Sequence, residues 1–126
     1  MNPTIIDTSA LPHPQFVYSQ ATKIGNLIFV SGQTGVDFTT GKVTDDFETQ
    51  ARQAFENVSM VLKAAGSSLS KVAKTTVWLC NAANFDKLNE LYKEYFPINP
   101  PARSTPVVGL PKKNLQISIE VIAYID

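Results

Sequence analysis

Gln116-Ile117-Ser118-Ile119-Glu120-Val121-Ile122-Ala123-Tyr124-Ile125 alternates along its whole length. Side chains of a strand point to opposite faces in turn. Ile117, Ile119, Val121, Ala123 and Ile125 therefore share one side, and Gln116, Ser118, Glu120, Ile122 and Tyr124 the other. The first side is wholly apolar and needs a layer packed against it. The second is mixed, with Ile122 and Tyr124 among polar groups. Such a face is too apolar to stay in water if no helix covers it, which predicts an oligomer.

Working back from this strand, Leu110 to Leu115, with Pro111 and Lys112-Lys113, reads as a turn, and Ser104 to Val108 as a strand. Before it stands Pro100-Pro101-Ala102-Arg103-Ser104-Thr105. Proline fixes φ and lacks an N–H, so this is a stiff connector that delivers Arg103 with little slack. An arginine at a strand start is ordinarily a solvated surface charge. A guanidinium held without slack is also suited to two-pronged capture of a carboxylate or phosphate.

Two helices supply the missing layer. Phe47, Ala51, Ala54, Phe55, Val58, Val61, Leu62 and Ala65 recur at helical spacing, with Glu48, Arg52, Glu56 and Lys63 opposite. Thr44-Asp45-Asp46 offers N-caps and Gly66 a C-terminal stop. The second helix spans Phe85 to Phe96, with Phe85, Leu88, Leu91, Tyr92 and Tyr95 inward, and ends at Pro97. Between the helices, Val72 to Cys80 is β-branched and aromatic, hence a strand, with Trp78 on the uncovered face. Upstream, Tyr18–Ile24 and Leu27–Gly32 flank Gly25-Asn26, a hairpin signature. Val36 to Val43 is a polar turn, and Thr4–Ile6 a short edge strand. The order is β-β-β-α-β-α-β-β. Two helices cannot cover both faces of a mixed sheet, so the expected architecture is an α+β two-layer sandwich with both helices on one face.

The 126 residues fit a single domain, 1–126. Eleven basic residues balance eleven acidic ones, and no like-charge run exceeds Lys112-Lys113, which argues against nucleic acid as a partner. One cysteine, Cys80, forms neither an internal disulfide nor a multi-thiolate metal site, and beside Trp78 and Leu79 it reads as a small buried hydrophobe. His13, the single histidine, lies between two prolines, which suits an exposed loop better than a catalytic base, since a base needs an orienting partner. No run reaches membrane-spanning length, and Met1–Ala10 carries Asp7 without a basic residue, unlike a signal or transit peptide. The expected compartment is the cytoplasm, with an organelle left open.

Several segments together resemble the Rid family, also called YjgF. They are Tyr18-Ser19-Gln20-Ala21, Gly25 through Gln33, Thr39-Gly41-Lys42-Val43, Gln50 through Asn57, Val72 through Val77, Pro101-Ala102-Arg103-Ser104 and Ile119-Glu120-Val121. The resemblance implies a chorismate-mutase-like fold, a homotrimer, and three ligand clefts between subunits. It also implies hydrolytic deamination of reactive enamine and imine acids, 2-iminobutanoate and 2-iminopropanoate, to 2-oxo acids and ammonia. By the same resemblance Arg103 holds the substrate carboxylate, Tyr18 stands near the cleft, and Ser31 and Gly32 line it. Glu120 orients or activates water, while Asn89 and Thr105 border the ligand. An imine carbon is already electrophilic, so no metal, cofactor or covalent nucleophile is required. Thr105 stands where deaminase members commonly carry cysteine, and Pro106 where an aliphatic residue is usual. The segment from Leu110 to Glu120 is longer than in typical members, which leaves Ser118 as the alternative occupant of the glutamate's place. Two other functions stay open: an endoribonuclease or translation inhibitor, and a non-catalytic, chaperone-like trimer that binds small carboxylates.

Overall fold

A computed structural model describes residues 2–126, so that Met1, part of the stretch read for targeting signals, lies outside the described residues. Six strands and two α-helices run in the order β1 (Thr4–Ile6), β2 (Ala21–Ile24), β3 (Leu27–Thr34), α1 (Phe47–Ala64), β4 (Val72–Leu79), α2 (Phe85–Tyr95), β5 (Ala102–Ser104) and β6 (Ile117–Tyr124). They form one sheet in the order β1-β2-β3-β6-β4-β5. Every neighbouring pair is antiparallel except β4 and β5, so the sheet is mixed. The strand read first in the sequence thus lies inside the sheet, flanked by β3 and β4.

The alternation of β6 is realised as expected. Ile117, Ile119, Val121 and Ala123 are buried in the core, whereas Ile122 is half-buried and Tyr124 exposed. The core cluster joins these residues to Ile28 and Val30 of β3, Val77 and Leu79 of β4, and the inner stripes of both helices. Phe55 of α1 stacks on Tyr95 (4.3 Å between ring centroids) and meets Tyr92 and Phe96 edge-on, which locks α2 to α1. Asp46 caps α1, its carboxylate accepting from the Thr49 N–H (2.9 Å) and hydroxyl (2.6 Å). Gly35, just past β3, lies against the backbone of Gln50, where any Cβ would collide with main chain. Only glycine lets the strand exit pass this close to α1.

The opposite face is bare in one chain. The pairing register sets Ile5, Thr22, Phe29, Ile122, Lys74 and Ala102 in a single row across all six strands on that side. Ile5, Ile24, Leu27, Phe29 and Tyr124 are all exposed there.

Two strands depart from expectation by three residues or more at one end. The strand expected from Tyr18 begins only at Ala21, because Ser19 and Gln20 use their carbonyls to accept from the Ser31 hydroxyl (2.6 Å) and N–H (3.0 Å). The strand expected over Ser104–Val108 is instead Ala102–Ser104, so Arg103 sits within a strand and not on a connector. Pro106 has no N–H for a ladder and disfavours further regular pairing at Thr105. The chain rejoins β4 only by an isolated bridge at Val107.

Candidate active site

The pairing register decides where each candidate residue points. Ala21, Val30, Val121, Thr75 and Arg103 are mutual partners across five strands. The first four are buried against the core, except that Thr75 spends its hydroxyl on Tyr92, so Arg103 also emerges on the helix face. Its Cζ lies 4.7 Å from the centroid of the Tyr92 ring and 5.6 Å from that of Phe85. The Tyr92 hydroxyl and the fully buried Thr75 hydroxyl share a 2.8 Å hydrogen bond. Burial pushes the Tyr92 phenol above its ordinary pKa, opposed by that hydrogen bond and the charge of Arg103, which keeps the ring neutral beneath the guanidinium.

The two arginines of the chain have opposite fates. Arg52 is bonded to Glu48 (3.1 Å) and Glu94 (2.7 Å), a tie between the two helices. Arg103, among the described residues, has neither an ion pair nor a side-chain hydrogen bond. Its aromatic neighbours cover one flank of the guanidinium and leave its N–H groups free. Phe85, Asn89 and Tyr92 are spaced i, i+4 and i+7 along α2, so half-buried Asn89 shares the stripe that flanks Arg103. Half-buried Thr105 follows β5, and the carbonyl of Pro106 after it accepts from the Leu79 N–H (3.0 Å).

Tyr18, Ser31, Gly32 and Glu120 form a second group. The bond from the Ser31 hydroxyl to the Ser19 carbonyl ties the exposed Tyr18 segment to β3. Gly32 lies against Ser118, whose Oγ would be 2.7 Å from a Cβ placed there. Ser118, not Glu120, is therefore the β6 side chain that touches Gly32. Glu120 lies two residues further along, opposite Thr76, in a shallow depression of about 220 Å³ shared with Phe29, Lys74 and Ile122. Its partner row, Glu120, Thr76 and Ser104, belongs to the bare face. Arg103 and Glu120 thus project from opposite sides of one sheet, two strands apart, and do not meet within a chain.

Beside Tyr18 and Gly32 a larger cavity of about 730 Å³ opens between the segment from Leu11 to Phe16 and the turn Pro111–Leu115. Among the described residues no group of three or more His, Cys, Asp or Glu side chains could hold a metal ion, and no helix is long and apolar enough to cross a membrane.

The Phe85–Tyr92 platform and the buried amides of Gln20, Gln50 and Asn57 are absent from the sequence reading. The amides had a signal: Gln50 and Asn57 fall on the same α1 stripe as Phe47, Ala54 and Val61, where a polar side chain must be satisfied internally.

Residues 8–125 match the family model described as endoribonuclease L-PSP. A RutC family protein of Pyrococcus horikoshii is 44% identical over 121 residues, covering 95% of this chain and 96% of its own. The 2-iminobutanoate/2-iminopropanoate deaminase of Homo sapiens is 39% identical over 120 residues, covering 94% and 88%. The crystal structure of E. coli TdcF with bound serine superposes with a TM-score of 0.90 at 33% identity, covering 98% of this chain and 99% of that one. A family match along nearly the whole length, together with relatives this similar in sequence and fold, makes the chain a member of the Rid/YjgF family.

Proposed function

We propose that this protein hydrolyses reactive 2-imino and enamine acids, 2-iminobutanoate and 2-iminopropanoate among them, to 2-oxo acids and ammonia. The observation that carries the reading is Arg103: a guanidinium that β5 lays over the rings of α2 and whose N–H groups no acid among the described residues occupies. A planar fork of this kind fits a carboxylate by two parallel bonds. Once the acid is anchored, water adds to the C=N carbon, the C–N bond breaks and ammonia leaves carrying both protons of the water, the first of which a base must take from the attacking water. Glu120 is the carboxylate available to take that proton, an effect typically worth ~10²–10⁴-fold. Tyr18, Ser31 and Gly32 wall the cleft beside it, and Asn89 and Thr105 border the anchored end.

Arg103 and Glu120 point away from each other in one chain, and a small imino acid cannot span a sheet. The reading therefore requires Arg103 of one copy to face Tyr18, Ser31, Gly32 and Glu120 of another. A homotrimer with clefts between subunits meets that need, and the bare apolar row through Ile5, Phe29 and Ile122 supplies surface for the contact. The relative named a deaminase supports the chemistry, and the bound serine of TdcF shows that a relative holds a small amino acid.

A second reading is favoured by Ser118. The group against Gly32 is a hydroxyl, which cannot act as a base as a carboxylate does, and this suits a protein that binds small carboxylates without turning them over. Endoribonuclease activity, named in the family's description, finds a chain of zero net charge with one histidine.

Threonine and a pyridoxal-phosphate-dependent dehydratase generate 2-iminobutanoate, and semicarbazide traps what survives. The deaminase reading expects less trapped product when this protein is added. Undiminished trapping with retained binding of 2-oxobutanoate would move the assignment to the second reading. In mixed assemblies of Arg103→Lys and Glu120→Gln chains, partial recovery of activity over either variant alone is expected. No recovery would sink the shared cleft.

A further inference from the structure

We propose that the cavity beside Gly32 receives the substrate's side chain and selects 2-imino acids with large apolar or aromatic side chains over those carrying methyl or ethyl. This rests on the deaminase reading, since it places the substrate in the cleft that Gly32 walls. Tyr18 and Gly32 belong both to that proposed cleft and to the cavity wall, so the cavity adjoins the cleft at these two residues.

The cavity is a built feature because a buried amide pins each wall. The Nε2 of Gln20, 4% exposed, donates to the carbonyls of Thr8 (3.2 Å), Leu11 (3.3 Å) and Pro12 (3.1 Å). Fully buried Gln50 donates to the carbonyls of Thr44 (2.7 Å) and Asn114 (2.6 Å) and accepts from the Gln116 N–H (3.0 Å). Fully buried Asn57 donates to the carbonyls of Thr34 (2.9 Å) and Val36 (3.0 Å). Amides with this many satisfied bonds fix the loops that carry them, so the space does not depend on a transient opening.

Its chemistry points to the occupant. Leu11, Phe16, Val36, Phe38, Val43 and Leu115 line it. The charged or titratable side chains on the wall, apart from Tyr18, are Lys112, Lys113 and His13, and no Asp or Glu lines it. His13 is bonded to Asp7 (3.1 Å), while neither lysine has an ion-pair partner among the described residues. An apolar interior with a positive rim accepts an apolar side chain and repels a cationic one. At about 730 Å³ it falls within the range of pockets that enclose whole drug-sized ligands, roughly 300–1,000 Å³, and a methyl group would leave it full of water.

An L-amino acid oxidase generates the imines of alanine, 2-aminobutyrate, leucine, phenylalanine and arginine for trapping assays. Each methylene in a matched apolar pocket discriminates by about tenfold or more, so kcat/KM for the leucine or phenylalanine imine should exceed that of the alanine imine by at least ~10-fold, with arginine's lowest. Val36→Phe, which narrows the cavity, should pull that ratio toward one. Equal or better use of the alanine imine by the wild-type protein overturns the inference and leaves the deaminase reading intact. If no imine is turned over, line broadening of phenylpyruvate and pyruvate in proton NMR decides. Tighter binding of phenylpyruvate, lost in Val36→Phe, keeps the cavity assignment while the deaminase reading fails. Equal binding of the two, or binding indifferent to Val36→Phe, removes it.

Discussion

Replacing Arg103 with lysine keeps the charge and removes the fork, so it isolates the feature on which the proposed chemistry depends. In the structure the guanidinium lies over Tyr92 at 4.7 Å and near Phe85 at 5.6 Å, and its N–H groups have no acceptor among the described residues. An ammonium can hold a carboxylate by one charged hydrogen bond in place of two, a loss of ~1.5–3 kcal/mol. The weaker contact with the two rings, ~0.5–1 kcal/mol, is lost in the free protein as well and falls on stability. The anchor's share, ~1.5–3 kcal/mol, corresponds to roughly 10- to 150-fold in kcat/KM at ~1.4 kcal/mol per decade. The dehydratase-coupled trapping assay reads this directly. Because the Arg103 side chain has no ion pair or hydrogen bond to lose among the described residues, the urea midpoint should stay close to that of the wild type, which separates a lost anchor from a lost fold. Arg52→Lys is the control: it disturbs a tie between helices and should leave kcat/KM unchanged. A kcat/KM for Arg103→Lys within about threefold of wild type would refute the anchor role.

Tyr92→Phe leaves the fully buried Thr75 hydroxyl without its 2.8 Å partner, at a cost of ~1–3 kcal/mol in urea unfolding, while the ring under Arg103 remains. An unchanged midpoint would mean that bond contributes nothing. Gln50→Leu strands two carbonyls and one N–H and should cost ~3 kcal/mol or more, with faster amide exchange confined first to 111–116. Exchange spread evenly over the molecule would argue that Gln50 is not a local staple. Asp46 has its pKa lowered by the Thr49 hydroxyl and N–H bonds, so its contribution exists above the unfolded pKa and is lost as pH falls through the lower folded value. Asp46→Ala should melt below wild type at neutral pH, and the gap should close below about pH 4. A gap of constant size across that range would contradict the charged cap.

Periodicity carried the reading of α1, β4 and β6, because a buried face leaves its spacing in the sequence whatever the tertiary partners are. The bare face was legible for the same reason, since Ile122 and Tyr124 have no helix to answer them. What periodicity cannot show is which strand lies beside which. The placement of Arg103 and Glu120 on opposite sides follows from the pairing of Arg103 with Thr75 and of Glu120 with Thr76, a register set by long-range contacts. The end of β5 was misjudged because the β-branched run through Val107-Val108 outweighed Pro106, whose missing N–H breaks the ladder. The cavity was invisible because its walls come from four segments held by Gln20, Gln50 and Asn57, polar residues that look like surface in a linear chain.

The position of β6 inside the sheet bears on how the chain is made. Translation delivers β1, β2 and β3 as one antiparallel set and β4 and β5 as another, and the strand that joins them is the last element of the fold to leave the ribosome. Until it inserts, β3 and β4 each present an open edge, the kind of template that recruits foreign strands. A nascent chain stalled before Ile117 should therefore bind chaperone or aggregate, and the whole sheet closes only once β6 has emerged.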